Sequence, residues 1–198
     1  MKNRLKKELR DSLRQSRRNL LSKDQQFASN RVYDLVTKQG FFISATNVAF
    51  YLSFDGEIDP GPIAQKAMDQ GKSCYLPVIT DKNTHQMDFD LYDQSSILKK
   101  NKWGIEEPVS QDCQISPAKL DLVFVPLVGF DDNCSRLGMG KGLFDKTFNF
   151  KNQNSLAQPL LVGLAHECQH VQKIPAEDWD VKLDFVVTAE KIYQSNIR

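Results

Sequence analysis

The chain has 198 residues, an apolar fraction of 40% and a formal net charge of +1, a balance that excludes both a disordered charged tail and a membrane-embedded composition. No apolar run reaches the ~18 residues needed to cross a bilayer, and the charged N-terminus carries no apolar leader. The length suits one domain over residues 1–198, with a core that needs no staples, and the scattered Cys74, Cys113, Cys134 and Cys168 form no C-x-x-C pair, as expected of reduced thiols in the cytoplasm.

In chain order, residues 1–38 concentrate Lys and Arg, including Lys6, Arg10, Arg14, Arg17 and Arg18. Leu5, Leu9, Leu13, Leu20 and Leu21 recur at near-helical spacing, so a helix over 2–18 with a leucine stripe buried is expected. The cationic face reads first as a solvated surface, and a nucleic-acid surface is the alternative. The first two dozen positions hold no aromatic residue for stacking, and a third option is that one or two of the cations reach a phosphate.

Ser22 predicts an N-cap for a second helix to about Lys38, with Gly40 just past its end. Residues 46–54 read as a strand closed by the turn signal Asp55-Gly56, and Asp59-Pro60 opens a helix that stops before Gly71. A strand follows over 73–79, where Pro77 implies an edge or an early stop, and residues 87–92 alternate as a half-exposed strand. The region to Lys119 reads as loop; strands follow over 120–128, 159–165 and 185–188. Strands alternating with helices, in apolar runs without clean alternation, predict an α/β fold: a three-layer α/β/α domain with a mostly parallel, Rossmann-like sheet. Ligands of such sheets collect beyond the carboxyl ends of the strands.

The segment from Asp121 to Asp145 carries the most chemistry. An apolar run breaks at Gly129 and leads to Arg136-Leu-Gly-Met-Gly-Lys-Gly, where bare backbone at Gly138, Gly140 and Gly142 can close on an anion. Lys141 adds a cation, a helix start follows, and Asp145 could meet a metal carried by a polyphosphate. The spacing is not that of a Walker A loop.

The string His166-Glu-Cys-Gln-His170 matches the zinc H-E-x-x-H pattern, but it follows a strand-like run. In extended chain the two rings would stand ~13 Å apart, so zinc is disfavoured. Asp180 and Asp184 read first as turn residues, with a metal-ligand role beside Asp145 as the sharper option. Glu57 is either a surface turn residue or an acceptor for paired N–H donors of a polar heterocycle. Trp103 is open between a packed aromatic and a stacking wall.

Pro126-Leu-Val-Gly-Phe-Asp131 with Arg136-Leu-Gly-Met-Gly-Lys-Gly-Leu-Phe-Asp145 resembles the signature of the 5-formyltetrahydrofolate cyclo-ligase (methenyltetrahydrofolate synthetase) family. Lys6-Lys-Glu-Leu-Arg10, Tyr51-Leu-Ser with Glu57, Trp103-Gly-Ile, Gln169 and the tail from Pro175 to Asp184 match further elements in order, over about residues 6 to 188. Leu143 departs from the pattern, standing where an aromatic residue is usual, while Met139 is one of several residues tolerated at its position. The resemblance implies a Mg2+- and ATP-dependent closure of 5-formyltetrahydrofolate, polyglutamylated or not, to 5,10-methenyltetrahydrofolate with release of ADP and phosphate. It implies a cytoplasmic monomer that binds neither nucleic acid nor membrane. By the same resemblance Lys141 and Arg136 are catalytic, and Lys6, Arg10, Arg136, Leu137, Gly138, Met139, Gly140, Lys141, Gly142 and Phe144 bind ATP. Leu52, Glu57, Trp103, Met139, Lys141, Leu143 and Phe144 bind the folate, and Asp145 and Asp180 the metal, with Asp180 favoured over Asp184.

Overall fold

The computed structural model describes residues 2–81, 86–100, 104, 106–109, 114–154 and 158–195; Trp103 lies outside them. The helices are α1 (Lys2–Arg18), α2 (Ser22–Val36), α3 (Gly40–Ser44), α4 (Gly61–Asp69) and α5 (Leu143–Thr147). The strands are β1 (Asn47–Ala49), β2 (Ser73–Asp81), β3 (Gln86–Leu91), β4 (Leu98–Lys100), β5 (Glu106–Pro108), β6 (Gln114–Ile115), β7 (Leu122–Pro126), β8 (Gly129–Phe130), β9 (Arg136–Leu137), β10 (Leu160–Leu164), β11 (Phe185–Val187) and β12 (Ile192–Gln194).

The central sheet has eight strands in the order β12-β11-β10-β7-β1-β2-β3-β6. The five in the middle run parallel, and β12, β3 and β6 close the edges antiparallel. Each central strand is buried on both faces, which is why the sequence shows continuous apolar runs. Leu122 and Phe124 of β7 face one core with Phe50, Val32, Phe42 and Ile63, while Val123 and Val125 face the other with Phe130, Phe148 and Leu183. The α/β class is therefore as expected. One face is covered by α2, α3 and α4; the other is covered by the short α5, a 3₁₀ turn over Asn149–Asn152 and extended chain before β11.

The chain steps from β1 to β2 on one side, then returns to place β7 and β10 on the other side of β1. The direction of winding thus reverses between β1 and β7, and the crevice beyond their carboxyl ends is where such folds bind ligands.

Several local expectations are corrected. Ser22 is the first residue of α2 rather than its cap, because Leu21 occupies the extended cap position and no side chain caps the helix. Gly40 opens α3 rather than ending a helix. The strand expected over 46–54 shrinks to Asn47–Ala49, since the chain leaves the sheet after Phe50 to build the turn at Asp55 and Gly56. Pro77 lies in an interior strand, at a point where pairing with β1 has already ended at Tyr75. The region expected to be loop forms the ribbon β4–β5 and the edge strand β6.

The largest correction concerns the buried face of α1. Leu5 and Leu21 are 56% and 59% exposed, whereas Lys6 is 9% exposed and Arg17 is fully buried. Leu13 does go inward, against Val128, Leu137 and Ile174. Positions 6, 10, 13 and 17 keep helical spacing, so the face against the protein is mixed cation and leucine rather than a pure leucine stripe. A Cβ at Gly129 would stand 2.4 Å from Leu13 Cδ1, so a glycine here lets α1 lie directly on the segment after β7.

Candidate functional site

Helix α1 crosses the carboxyl end of the sheet and grips two loops. At its start, Lys6 Nζ donates to Asp180 Oδ2 at 3.0 Å and lies 3.9 Å from Glu177. One turn on, Arg10 Nε donates to the Gly138 carbonyl at 2.7 Å, and its guanidinium flanks Gly140. In the last turns, Arg14 Nε donates to Asp55 Oδ2 at 3.0 Å, Arg18 also binds that carboxylate, and Arg17 reaches both its backbone and its side chain.

The glycine loop leaves β9 at Leu137, whose side chain is buried, so that residue can offer a ligand only its backbone. Met139, Gly140 and Lys141 form the exposed apex. Gly140 and Gly142 have φ of +99° and +66°, a region that side chains rarely enter, and this turns the backbone before α5 begins. The helix that follows is a single turn. Arg136 is buried beneath the loop: one guanidinium nitrogen donates to the Val181 carbonyl at 2.6 Å and the other to Asp145 Oδ1 at 2.6 Å, with the Phe144 ring 5.9 Å away. Burial lowers the Arg136 pKa and the Asp145 charge opposes that shift. Arg136 is therefore shown ion-paired to Asp145, the acid expected to bind metal.

Asp145 Oδ1 also accepts from the Val181 amide at 3.0 Å, the residue after Asp180. Asp145 and Asp180 are thus brought together by one peptide unit. Asp184 lies elsewhere: its Oδ2 accepts from Leu161 at 2.7 Å, at the amino end of β10 and away from the crevice. Among the described residues no group of three His, Cys, Asp or Glu is placed to hold a metal. Two carboxylates nevertheless fit magnesium, which takes one or two of them and completes its shell with phosphate oxygens and water.

The second loop follows β1. Asp55 and Gly56 both have positive φ, +57° and +78°. Burial raises the Asp55 pKa, but hydrogen bonds from Arg18 and Arg14 outweigh it and the net shift is downward. Glu57 Oε2 accepts from the Phe54 amide at 3.1 Å, and Oε1 lies 3.5 Å from Arg17. Burial pushes the Glu57 carboxyl up to about 7 against the opposing pull of Arg17. Before this turn, Leu52 lines a cavity of about 280 Å³ with Tyr51, Pro60, Ala64, Met68 and Tyr92; Glu57 is outside its lining.

The H-E-x-x-H string forms a 3₁₀ turn over Glu167–Gln169, not extended chain, yet its histidines diverge. His166 Nε2 donates to the Gly56 carbonyl at 3.0 Å, while His170 Nε2 lies 3.1 Å from Asp132. Burial lowers the His166 pKa, so the ring stays neutral and tethers the turn. Gln169 ties the end of β10 to the Leu127 and Val128 carbonyls at 2.8 and 3.1 Å. Arg17, Asp55 and His166 were not singled out as site residues from sequence. The one usable signal was Arg14, Arg17 and Arg18 within one helical turn or so of each other, in a chain that also holds an acidic Asp-Gly-Glu turn.

The sequence profile of the 5-formyltetrahydrofolate cyclo-ligase family matches residues 2–189. The 5-formyltetrahydrofolate cyclo-ligase of Escherichia coli strain K12 is 37% identical over 183 residues, covering 92% of this chain and 99% of that protein. The Haemophilus influenzae cyclo-ligase is 37% identical over 180 residues, covering 90% and 94%. The NMR structure of Aquifex aeolicus 5,10-methenyltetrahydrofolate synthetase superposes with a TM-score of 0.82 at 27% identity, covering 98% of this chain and 94% of that one.

Proposed function

The chain belongs to the 5-formyltetrahydrofolate cyclo-ligase family, and from that membership we propose how its residues divide the work of the reaction. It is a ligase that closes 5-formyltetrahydrofolate to 5,10-methenyltetrahydrofolate. In our reading ATP is the cosubstrate. The formyl oxygen attacks the γ-phosphorus and ADP departs; N10 then attacks the activated formyl carbon and phosphate leaves. A formyl oxygen is a poor leaving group until phosphorylated, so the site needs phosphate clamping and charge neutralisation rather than a strong base.

The single observation that carries this reading is the convergence of the exposed glycine apex, the Arg136–Asp145 pair and the Lys6–Asp180 pair at one end of α1. The backbone of Gly138, Gly140 and Gly142 would receive phosphate oxygens, with Lys141 on the transferring group and Lys6 and Arg10 beside them. Asp145 and Asp180 would hold Mg2+, which when bound neutralises phosphate charge. Arg136 would hold the Asp145 carboxylate in place. Leu52, Met139, Leu143 and Phe144 would wall the folate, and Glu57 would accept its heterocycle N–H groups; Trp103, outside the described residues, would stack on it.

We read the protein as a cytoplasmic monomer acting on folates with or without a polyglutamate tail, without nucleic acid or membrane. The nucleic-acid alternative is weakened because Lys6, Arg10, Arg14, Arg17 and Arg18 are spent on partners within the protein. No described helix is long and apolar enough to cross a membrane. The test is turnover: purified protein with Mg-ATP should convert 5-formyltetrahydrofolate with growth of methenyl absorbance, and Lys141→Ala should abolish it with the fold intact. Folded wild-type protein that leaves the substrate unchanged contradicts the reading.

A further inference from the structure

Arg17 is fully buried, and its guanidinium sits where the winding of the sheet reverses. Nε donates to the Asp55 carbonyl at 2.9 Å, one terminal nitrogen to the Leu127 carbonyl at 3.2 Å and the other to Asp55 Oδ2 at 3.2 Å. It therefore ties the segment after β1 to the segment after β7. The Asp55 carboxylate already has Arg14 and Arg18, so the turn does not need a third cation to stay ionised. Burying a guanidinium completely is expensive, and replacing buried ion pairs by apolar groups is often neutral for stability. A stability role alone accounts poorly for that cost here.

Arg17 also neighbours Glu57. At 3.5 Å from Oε1, the guanidinium supplies positive charge, and among the described residues that oxygen's hydrogen-bonding capacity is left available. The other oxygen is occupied by the Phe54 amide. We propose that Arg17 is a positioning residue for the folate substrate: from the junction of β1 and β7 it fixes the Asp55–Glu57 turn and presents the Glu57 carboxylate to the heterocycle. This rests on the reading above, in which Glu57 accepts the heterocycle's N–H groups.

The charged groups bearing on Glu57 are Arg17 and Arg14 from α1 and Asp55 from its own turn, with Asp59 and Tyr51 close by and neutral His166 reaching Gly56 from the end of β10. Burial and Asp55 oppose ionisation of Glu57, and Arg17 is the largest influence favouring it. Removing that cation moves ionisation to higher pH, so folate binding should weaken already at neutral pH.

The experiment is steady-state kinetics of ring closure against pH for wild type, Arg17→Lys, Arg17→Met, Glu57→Gln and the double variant, each checked for fold by circular dichroism. Arg17→Met should raise the folate KM at least about tenfold, the loss expected when a charge-assisted contact is weakened. The KM for ATP should move by no more than about twofold, and the acid limb of the folate KM profile should shift to higher pH. Arg17→Lys should keep the limb near its wild-type position with a smaller rise in KM. In the Glu57→Gln background, Arg17→Met should add little, because the two act as one unit. Equal rises in both KM values, an unmoved acid limb, or full additivity in the double variant would overturn the proposal. Should Arg17→Met fail to fold, Arg17→Lys decides: a KM rise confined to the folate supports the role, and an unchanged folate KM refutes it. An inert wild type overturns the functional reading as well, whereas an active wild type with these negative results overturns this proposal alone.

Discussion

The two loops held by α1 are built on opposite principles. The Asp55–Glu57 turn is pinned from every side: three arginines grip Asp55, His166 holds the Gly56 carbonyl, and Glu57 is tied back to Phe54. The glycine loop is fastened at its base, by Arg10 on Gly138 and by Arg136 beneath, while its apex at Met139, Gly140 and Lys141 is exposed. A rigid carboxylate suits a flat heterocycle whose donors have fixed geometry. A bare backbone apex suits a polyphosphate, which must be wrapped as it arrives and released as ADP and phosphate. On the reading proposed above, one helix would anchor a preformed folate contact at one end and the phosphate loop at the other.

The sharpest way to break this contrast is Lys141→Ala. It should reduce kcat/KM by roughly a thousandfold or more, as loss of a cation on a transferring phosphoryl group does, with a comparatively small change in Tm because the residue is exposed. Asp55→Asn should do the reverse and act mainly on the fold. It takes the hydrogen-bonded carboxylate from the buried Arg17, leaving only the longer Glu57 contact, and should lower stability by about 3 kcal/mol in chemical denaturation, the cost of breaking one side of a buried pair.

Glu57→Gln sharpens the comparison through pH. The folded carboxyl titrates at about 7 instead of its ordinary 4.5, so the folded state holds the proton more tightly than the unfolded chain. Its contribution is intact below about 4.5 and is lost as pH climbs to about 7, so wild type should lose about 3 kcal/mol relative to Glu57→Gln across that window. Urea titrations from pH 4 to 8 should show the two curves diverging upward in pH. His166 acts oppositely: with its pKa lowered by burial, its contribution is present above the ordinary histidine range and is lost as pH falls through it. The smallest effect belongs to Arg4→Ala, which removes an exposed i,i+4 pair with Glu8 and should leave both Tm and turnover unchanged.

What the sequence disclosed follows the same division. The glycine loop was legible because its chemistry is local: alternate glycines, a lysine and an aspartate within ten residues, on the exit of an apolar strand. The limits of α1 were also legible from spacing, but not which face it buries. Lys6 and Arg17 look like solvated cations until Asp180 and Asp55 arrive from far along the chain. The leucine stripe was misleading for the same reason, since Leu5 and Leu21 find no core to enter. The ribbon β4–β5 and the edge strand β6 escaped notice because strands of two or three residues carry too little periodicity to separate from loop. The choice between Asp180 and Asp184 was likewise a matter of tertiary placement: a hydrogen bond from Leu161 takes Asp184 to the far end of β10.

Amide hydrogen exchange, measured with and without Mg-ATP, probes the two loops most directly. Nucleotide should slow exchange at residues 138–142 and leave residues 54–57, already held by the arginines and His166, at their free-protein rates. Protection that appears at residues 54–57 while the glycine apex exchanges as fast as before would contradict the assignment of phosphates to that loop.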